Sequence, residues 1–185
     1  MTSWPSHNQD DVSRPQVPTQ INLENGDWGY LVNKNSCPLR WITLLLLRDC
    51  DIPYDIRESN YLRQARAQIV GNEGDRDNGN DDGNSNDAVA NIISRFLKKI
   101  WEHTLNEIQI RIGESGLQQR LFRVAIAVPA IWPQYAKEKM HQAARTAGIL
   151  ANRPIGKTFF MLVEALEVAA LAALFEWRGY PGMEV

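Results

Sequence analysis

His103 and Glu107 stand four positions apart, the spacing that puts two side chains on one face of a helix, and imidazole with carboxylate is a usable donor pair for a transition metal. No third donor follows at ligand spacing, so the pair reads as polar residues on a charged helix face. Oxygen ligands for a hard cation are a second possibility, because Asp75 to Asp87 is rich in Asp, Asn and Gly. Placed in an EF-hand register from Asp75, however, Gly79 falls on a ligand position, Asn80 on the turn glycine and Asn86 on the closing glutamate, so the segment reads as a solvated linker. Gly156-Lys157-Thr158 has the form of the end of a phosphate-binding loop, but Ala151 stands where the first glycine is needed. It also leads into a strand instead of a helix, and a turn before a strand is expected. Cys37 and Cys50 lack metal-ligand spacing and are expected as reduced thiols, and His7, His103 and His141 lie near no nucleophile motif. Neither a zinc site nor a hydrolase triad is expected.

Tryptophan is plentiful. The six residues Trp4, Trp28, Trp41, Trp101, Trp132 and Trp177 are dispersed along 185 residues, a pattern that suits core packing better than one recognition patch. A net charge of -2 argues against nucleic-acid binding by phosphate neutralisation. The apolar run Leu44 to Leu47 is too short to span a membrane, and the first residues carry no charged-then-apolar leader, so a cytoplasmic protein is expected.

Charge divides the chain. Residues 71–87 hold six acidic side chains against one basic and no apolar residue, so they are expected to form a disordered insert between folded parts at 1–70 and 88–185. In the first part, Pro18 to Leu23 and Asp27 to Val32 read as short strands around an Asn25-Gly26 turn. Helices are expected from Pro38 through Leu47 and near Arg57 to Val70. After the insert, Val89, Ile92, Ile93, Phe96, Ile100, Leu105, Ile108 and Ile112 recur at steps near three and four. They predict an amphipathic helix from Asn86 or Asp87 to Gly113, roughly 39 Å long at 1.5 Å per residue. Leu121 to Val128 and Lys157 to Val163 read as buried strands, with helices over Pro133 to Ala147 and Glu164 to Trp177. That order implies two parallel strands joined by a right-handed crossover.

The stretch Val124-Ala125-Ile126-Ala127-Val128-Pro129-Ala130-Ile131-Trp132-Pro133, with Ala147-Gly148-Ile149 closing the following helix, resembles the ATPase domain of the DnaK-type heat shock chaperone family. Glu164 to Leu174 is similar to that family's Glu-Pro-x-Ala-Ala-Ala segment. Met1 to Pro5, Asp27 to Tyr30, Arg40 to Leu47, Tyr61 to Arg63 and Leu97 to Ile108 resemble its divergent fungal-type members. The likeness is collinear along almost the whole chain and densest between 122 and 149.

This resemblance implies an α/β fold: an incomplete ribonuclease-H-like half-domain of the actin-like ATPase superfamily over 88–185, with a smaller α+β outer subdomain over 1–70. Residues 1–5 would be the remnant of an inner-subdomain strand. Family members bind ATP and magnesium through two glycine-rich hairpins and an adenosine loop, and none of these motifs occurs here, as though the chain begins after the first and stops before the second. The resemblance assigns the glutamate that orients the attacking water to Glu164 only if Leu166 is an insertion. It assigns the interdomain proline to Pro129, and puts Lys137 where the family has the arginine partner of that proline. Thr43 stands where the phosphoryl-transfer lysine is expected. No cofactor is therefore expected for this chain, with ATP and magnesium only if the full family domain is present. The function implied is that of a truncated or degenerate, noncatalytic relative, with a functional ATPase of incomplete gene model or a small α/β interaction module as alternatives. Expected partners are unknown proteins, not nucleic acid or membrane, and an unpaired sheet edge would favour self-association.

Overall fold

The computed structural model describes residues 4–7, 14, 16–33, 35–72, 84–153 and 156–164. In the first part, β1 (Gln20–Ile21) pairs antiparallel with β2 (Leu39–Arg40). The Asn25-Gly26 turn forms as expected: Gly26 takes a φ of 76°, its N–H donates to the Asn22 carbonyl at 3.0 Å, and Asn22 N–H donates to the Asp27 carbonyl at 2.8 Å. The predicted second strand, Asp27 to Val32, shrinks to a bridge between Trp28 and Ile21, followed by a 3-10 turn at Gly29–Leu31. Gly29 causes the break. It holds a φ of 57°, and a Cβ there would lie 2.4 Å from Val17 Cγ2, so the chain turns where only glycine fits.

The predicted helix from Pro38 through Leu47 is not found. The chain runs through β2, takes a left-handed φ of 48° at Trp41, and closes a 3-10 turn at Leu44–Leu46. The apolar run explains this. It has no polar face, so a helix would leave leucines in water, whereas the tight turn buries Leu45, Leu46 and Leu47 together with Ile42. A one-turn helix, α1 (Tyr54–Arg57), precedes α2 (Asn60–Asn72), which starts later than predicted because Ser59 caps it. The Ser59 hydroxyl accepts the Leu62 N–H at 3.3 Å, the bond that an N-cap makes.

The long helix α3 (Asn84–Gln118) includes the last residues of the expected insert, as α2 includes the first, while 73–83 lie outside the described residues. At Gly113 the backbone leaves helical geometry (φ 74°, ψ 168°), so the predicted stop is a break followed by a short helical continuation. The expected apolar stripe is fully buried only in its first half, where Val89, Ile92, Ile93 and Phe96 are covered, whereas Ile100, Leu105 and Ile108 are partly buried and Ile112 is exposed. α4 (Gln134–Thr146), which lies against α3, is much the shorter helix, so α3 overshoots the layer it packs on.

β3 (Arg123–Val128) and β6 (Phe159–Glu164) pair in parallel, Arg123 opposite Phe159 and Val128 opposite Glu164, with α4 between them in sequence. β4 (Asn152–Arg153) and β5 (Gly156–Lys157) form a small antiparallel hairpin in the connection. β3 is not buried on both faces as predicted. Val124, Ile126 and Val128 turn inward while Arg123, Ala125 and Ala127 are exposed, the alternation of a strand with helices on one face. Glu164 ends β6 instead of starting a helix, and the rest of the predicted helix to Trp177 lies outside the described residues.

One core crosses the expected boundary. Ile21, Trp28, Leu39 and Leu46 from the first part join Val89, Phe96, Val128, Trp132, Ala136 and Met140 from the second in a single cluster. Of the tryptophans, Trp28 and Trp132 are buried, Trp4 and Trp101 partly so, Trp41 is exposed, and Trp177 lies outside the described residues.

α4 ends in a Schellman motif. Ile149 N–H donates to the Ala144 carbonyl at 3.2 Å and Gly148 N–H to the Arg145 carbonyl at 3.0 Å, with Gly148 at φ 81° and Ile149 buried beside Ala144. A Cβ at Gly148 would meet nothing within 4 Å, so Gly148→Ala carries only the conformational penalty. It is expected to lower the unfolding free energy by about 1 kcal/mol. Urea denaturation measures it, and an unchanged midpoint would contradict the left-handed cap.

Candidate functional site

The parallel pair ends both strands at one edge, where Val128 and Glu164 are register partners. Ligands of open α/β sheets gather off such carboxyl ends. Pro129 follows β3 directly and is exposed, its carbonyl accepting the Trp132 N–H at 3.0 Å. Trp132 is buried beneath this turn and holds it to the core. Pro133 then caps α4, and Lys137, partly buried, lies near the start of that helix. The structure thus places Pro129, Lys137 and the backbone of Glu164 around one sheet edge.

Among the described residues, the turn after β3 is poor in backbone donors. Pro129 and Pro133 bracket the turn and have no N–H, the Trp132 N–H is engaged internally, and Ile131 is 90% exposed. Gly156-Lys157 forms β5 against Asn152 and Arg153 and enters β6, without the strand-to-helix turn of a phosphate loop.

His103 and Glu107 part company. The His103 ring lies 5.3 Å from the Trp4 ring and 6.1 Å from that of Trp28, and Glu107 pairs with Arg111 at 3.8 Å. Among the described residues no group of three His, Cys, Asp or Glu side chains is placed to hold a metal ion. No described helix is long and apolar enough to cross a membrane.

A second group of residues joins the two parts of the chain. The Tyr135 hydroxyl, on α4, accepts the Arg48 N–H at 2.9 Å and donates to the Asp51 carboxylate, while the Arg48 guanidinium stands 4.5 Å from the ring centroid. Burial pushes the Tyr135 hydroxyl above the usual phenol value, and Asp51 pushes it further against the pull of Arg48. The folded chain therefore retains a proton that the unfolded chain releases. This contribution to stability is complete below the unfolded value of about 10 and is lost as pH rises through the folded value. Tyr135→Phe is expected to cost about 1 kcal/mol at neutral pH and to flatten the alkaline fall in stability. Melting temperatures of both proteins from pH 8 to pH 11 test this, and parallel curves would refute it.

The sequence reading missed a cleft of about 210 Å³ between β2 and α2, lined by residues that include Cys37, Arg40, Tyr61, Gln64, Ala65 and Gln68. Tyr61 accepts the Arg40 N–H at its hydroxyl, and its ring meets the Trp41 ring at 5.1 Å. Burial raises the Tyr61 hydroxyl pKa while the Arg40 N–H and charge pull it down, so it stays a neutral phenol at physiological pH. Gln68 Nε2 donates to the Cys37 carbonyl at 3.3 Å and ties the helix to the loop. Tyr61-Leu62-Arg63 was visible as a motif, but nothing local joined it to Arg40, 21 positions earlier.

The described residues thus define a mixed helix-and-sheet protein in which a parallel strand pair and two packed helices share a core with an irregular, turn-rich layer. No protein-family model, curated protein or solved structure matches the chain.

Proposed function

We propose that this chain is a noncatalytic protein-interaction module, a degenerate relative of lobe one of the DnaK-type, actin-like ATPases. The observation that carries the reading is the β3–α4–β6 unit with α3 laid along α4. A parallel pair with a crossover helix and a long packed helix is what a ribonuclease-H-like half-domain requires of this stretch. In that frame Pro129 and Lys137 take the places of the interdomain proline and its basic partner. Lysine keeps the charge there but lacks the guanidinium fork. Glu164 takes the position of the water-orienting carboxylate if Leu166 is an insertion. Self-association belongs to the same reading, because β3 and β6 each have a partner on one side only among the described residues.

Isothermal titration with Mg-ATP, joined to a phosphate-release assay, is expected to give no saturable heat and no turnover. Micromolar binding with steady phosphate release would overturn the reading.

A further inference from the structure

Trp41 presents an anomaly that the fold does not explain. A bulky side chain at φ 48° is strained, yet the ring is left 56% exposed, so little burial offsets the strain. Beside it, the cleft between β2 and α2 is lined, among the described residues, by one guanidinium, two amides, two hydroxyls and a thiol, and by no carboxylate. Arg40, an exposed residue, spends its Nε on the Gln20 side-chain oxygen at 3.1 Å, a bond that does not use its two Nη groups. The lining is rich in donors and positive, next to the exposed Trp41 ring and the partly buried Tyr61. At about 210 Å³ the cleft is smaller than the usual small-molecule site of roughly 300–1,000 Å³ and suits a single side chain. Strand addition along β2 is disfavoured at Arg40, whose N–H is already taken by Tyr61.

We propose that this cleft binds an extended peptide of a partner protein, its carboxylate side chain set against Arg40 and a neighbouring aromatic residue laid on the Trp41–Tyr61 pair. Arginine matches a carboxylate with two parallel hydrogen bonds, and exposed Trp, Tyr and Arg are the residue types that anchor interfaces. The inference rests on the interaction-module reading and gives it a site and a partner chemistry.

The probe is the capped peptide acetyl-Gly-Glu-Phe-Gly-amide, with its Gln and Lys counterparts, followed through the Trp41 indole resonance. Cys37 lines the cleft and is exposed, so its modification by a thiol reagent in a Cys50→Ser protein is a second readout. The Glu peptide is expected to shift the Trp41 resonance saturably and to slow Cys37 modification, and the Gln peptide to bind about tenfold more weakly. Arg40→Gln is expected to erase that preference. Trp41→Gly should weaken binding by about tenfold while leaving the melting temperature unchanged or higher, because glycine relaxes the left-handed backbone. Equal binding of the Glu and Gln peptides, no saturable binding of any peptide, or an Arg40→Gln protein with full preference would overturn the proposal. A clear fall in melting temperature for Trp41→Gly would assign the ring to the fold instead. ATP turnover would overturn the noncatalytic reading alone, whereas failure of these peptides would overturn the cleft alone.

Discussion

Trp28→Ala is expected to lower the unfolding free energy by about 3–5 kcal/mol, the range found when large core aromatics are truncated. Trp28 is only 5% exposed, and its ring meets three others edge-on, Trp4 at 6.4 Å, Phe96 at 6.2 Å and His103 at 6.1 Å. The cavity left by alanine would open where the first layer rests on α3, and the surrounding rings are too rigid to collapse into it. Single domains retain about 5–15 kcal/mol in all, so the loss approaches the whole margin at the lower end. Urea denaturation followed by circular dichroism measures it. A loss below about 1 kcal/mol would mean that the ring does not join the two layers.

Leu46→Ala is the second large effect, expected at about 2–5 kcal/mol. The side chain is fully buried, at 0% exposure, on the 3-10 turn that packs on α3. What distinguishes this prediction is where the damage is seen. Because one core takes in both parts of the chain, fluorescence of Trp132, in a protein whose other tryptophans are replaced by phenylalanine, should report the same shifted transition as circular dichroism. An unshifted Trp132 transition would show that α4 and the strand pair melt as a unit of their own.

The elements legible in the sequence were those set by neighbours along the chain. Gly148 closes α4 and Gly113 breaks α3 because both backbones need a positive φ, a preference that glycine carries with it. The apolar spacing from Val89 to Phe96 placed α3, and two apolar runs around a helix announced the parallel pair. The run Trp41 to Leu47 misled because its composition suits a helix, whereas its burial demands a turn. The stripe on α3 was read too far, since periodicity reports which face is apolar and cannot say how long the partner helix is.

At the candidate sites the division is sharper. Pro129 and Lys137, and Glu164 with Leu166 as an insertion, were named by the resemblance, whereas their shared sheet edge follows from the register of β3 against β6. The cleft was invisible, because Tyr61 reaches Arg40 only when α2 folds back over β2. Tyr135 and Asp51 meet across 84 positions for a similar reason. By itself the sequence determined the ends of elements near Gly113, Pro129, Pro133 and Gly148, since those preferences reside in a few dihedral angles and local hydrogen bonds. Only the tertiary structure decided that the two parts share one core and that Trp41 stays in solvent, since burial is a property of the whole packing.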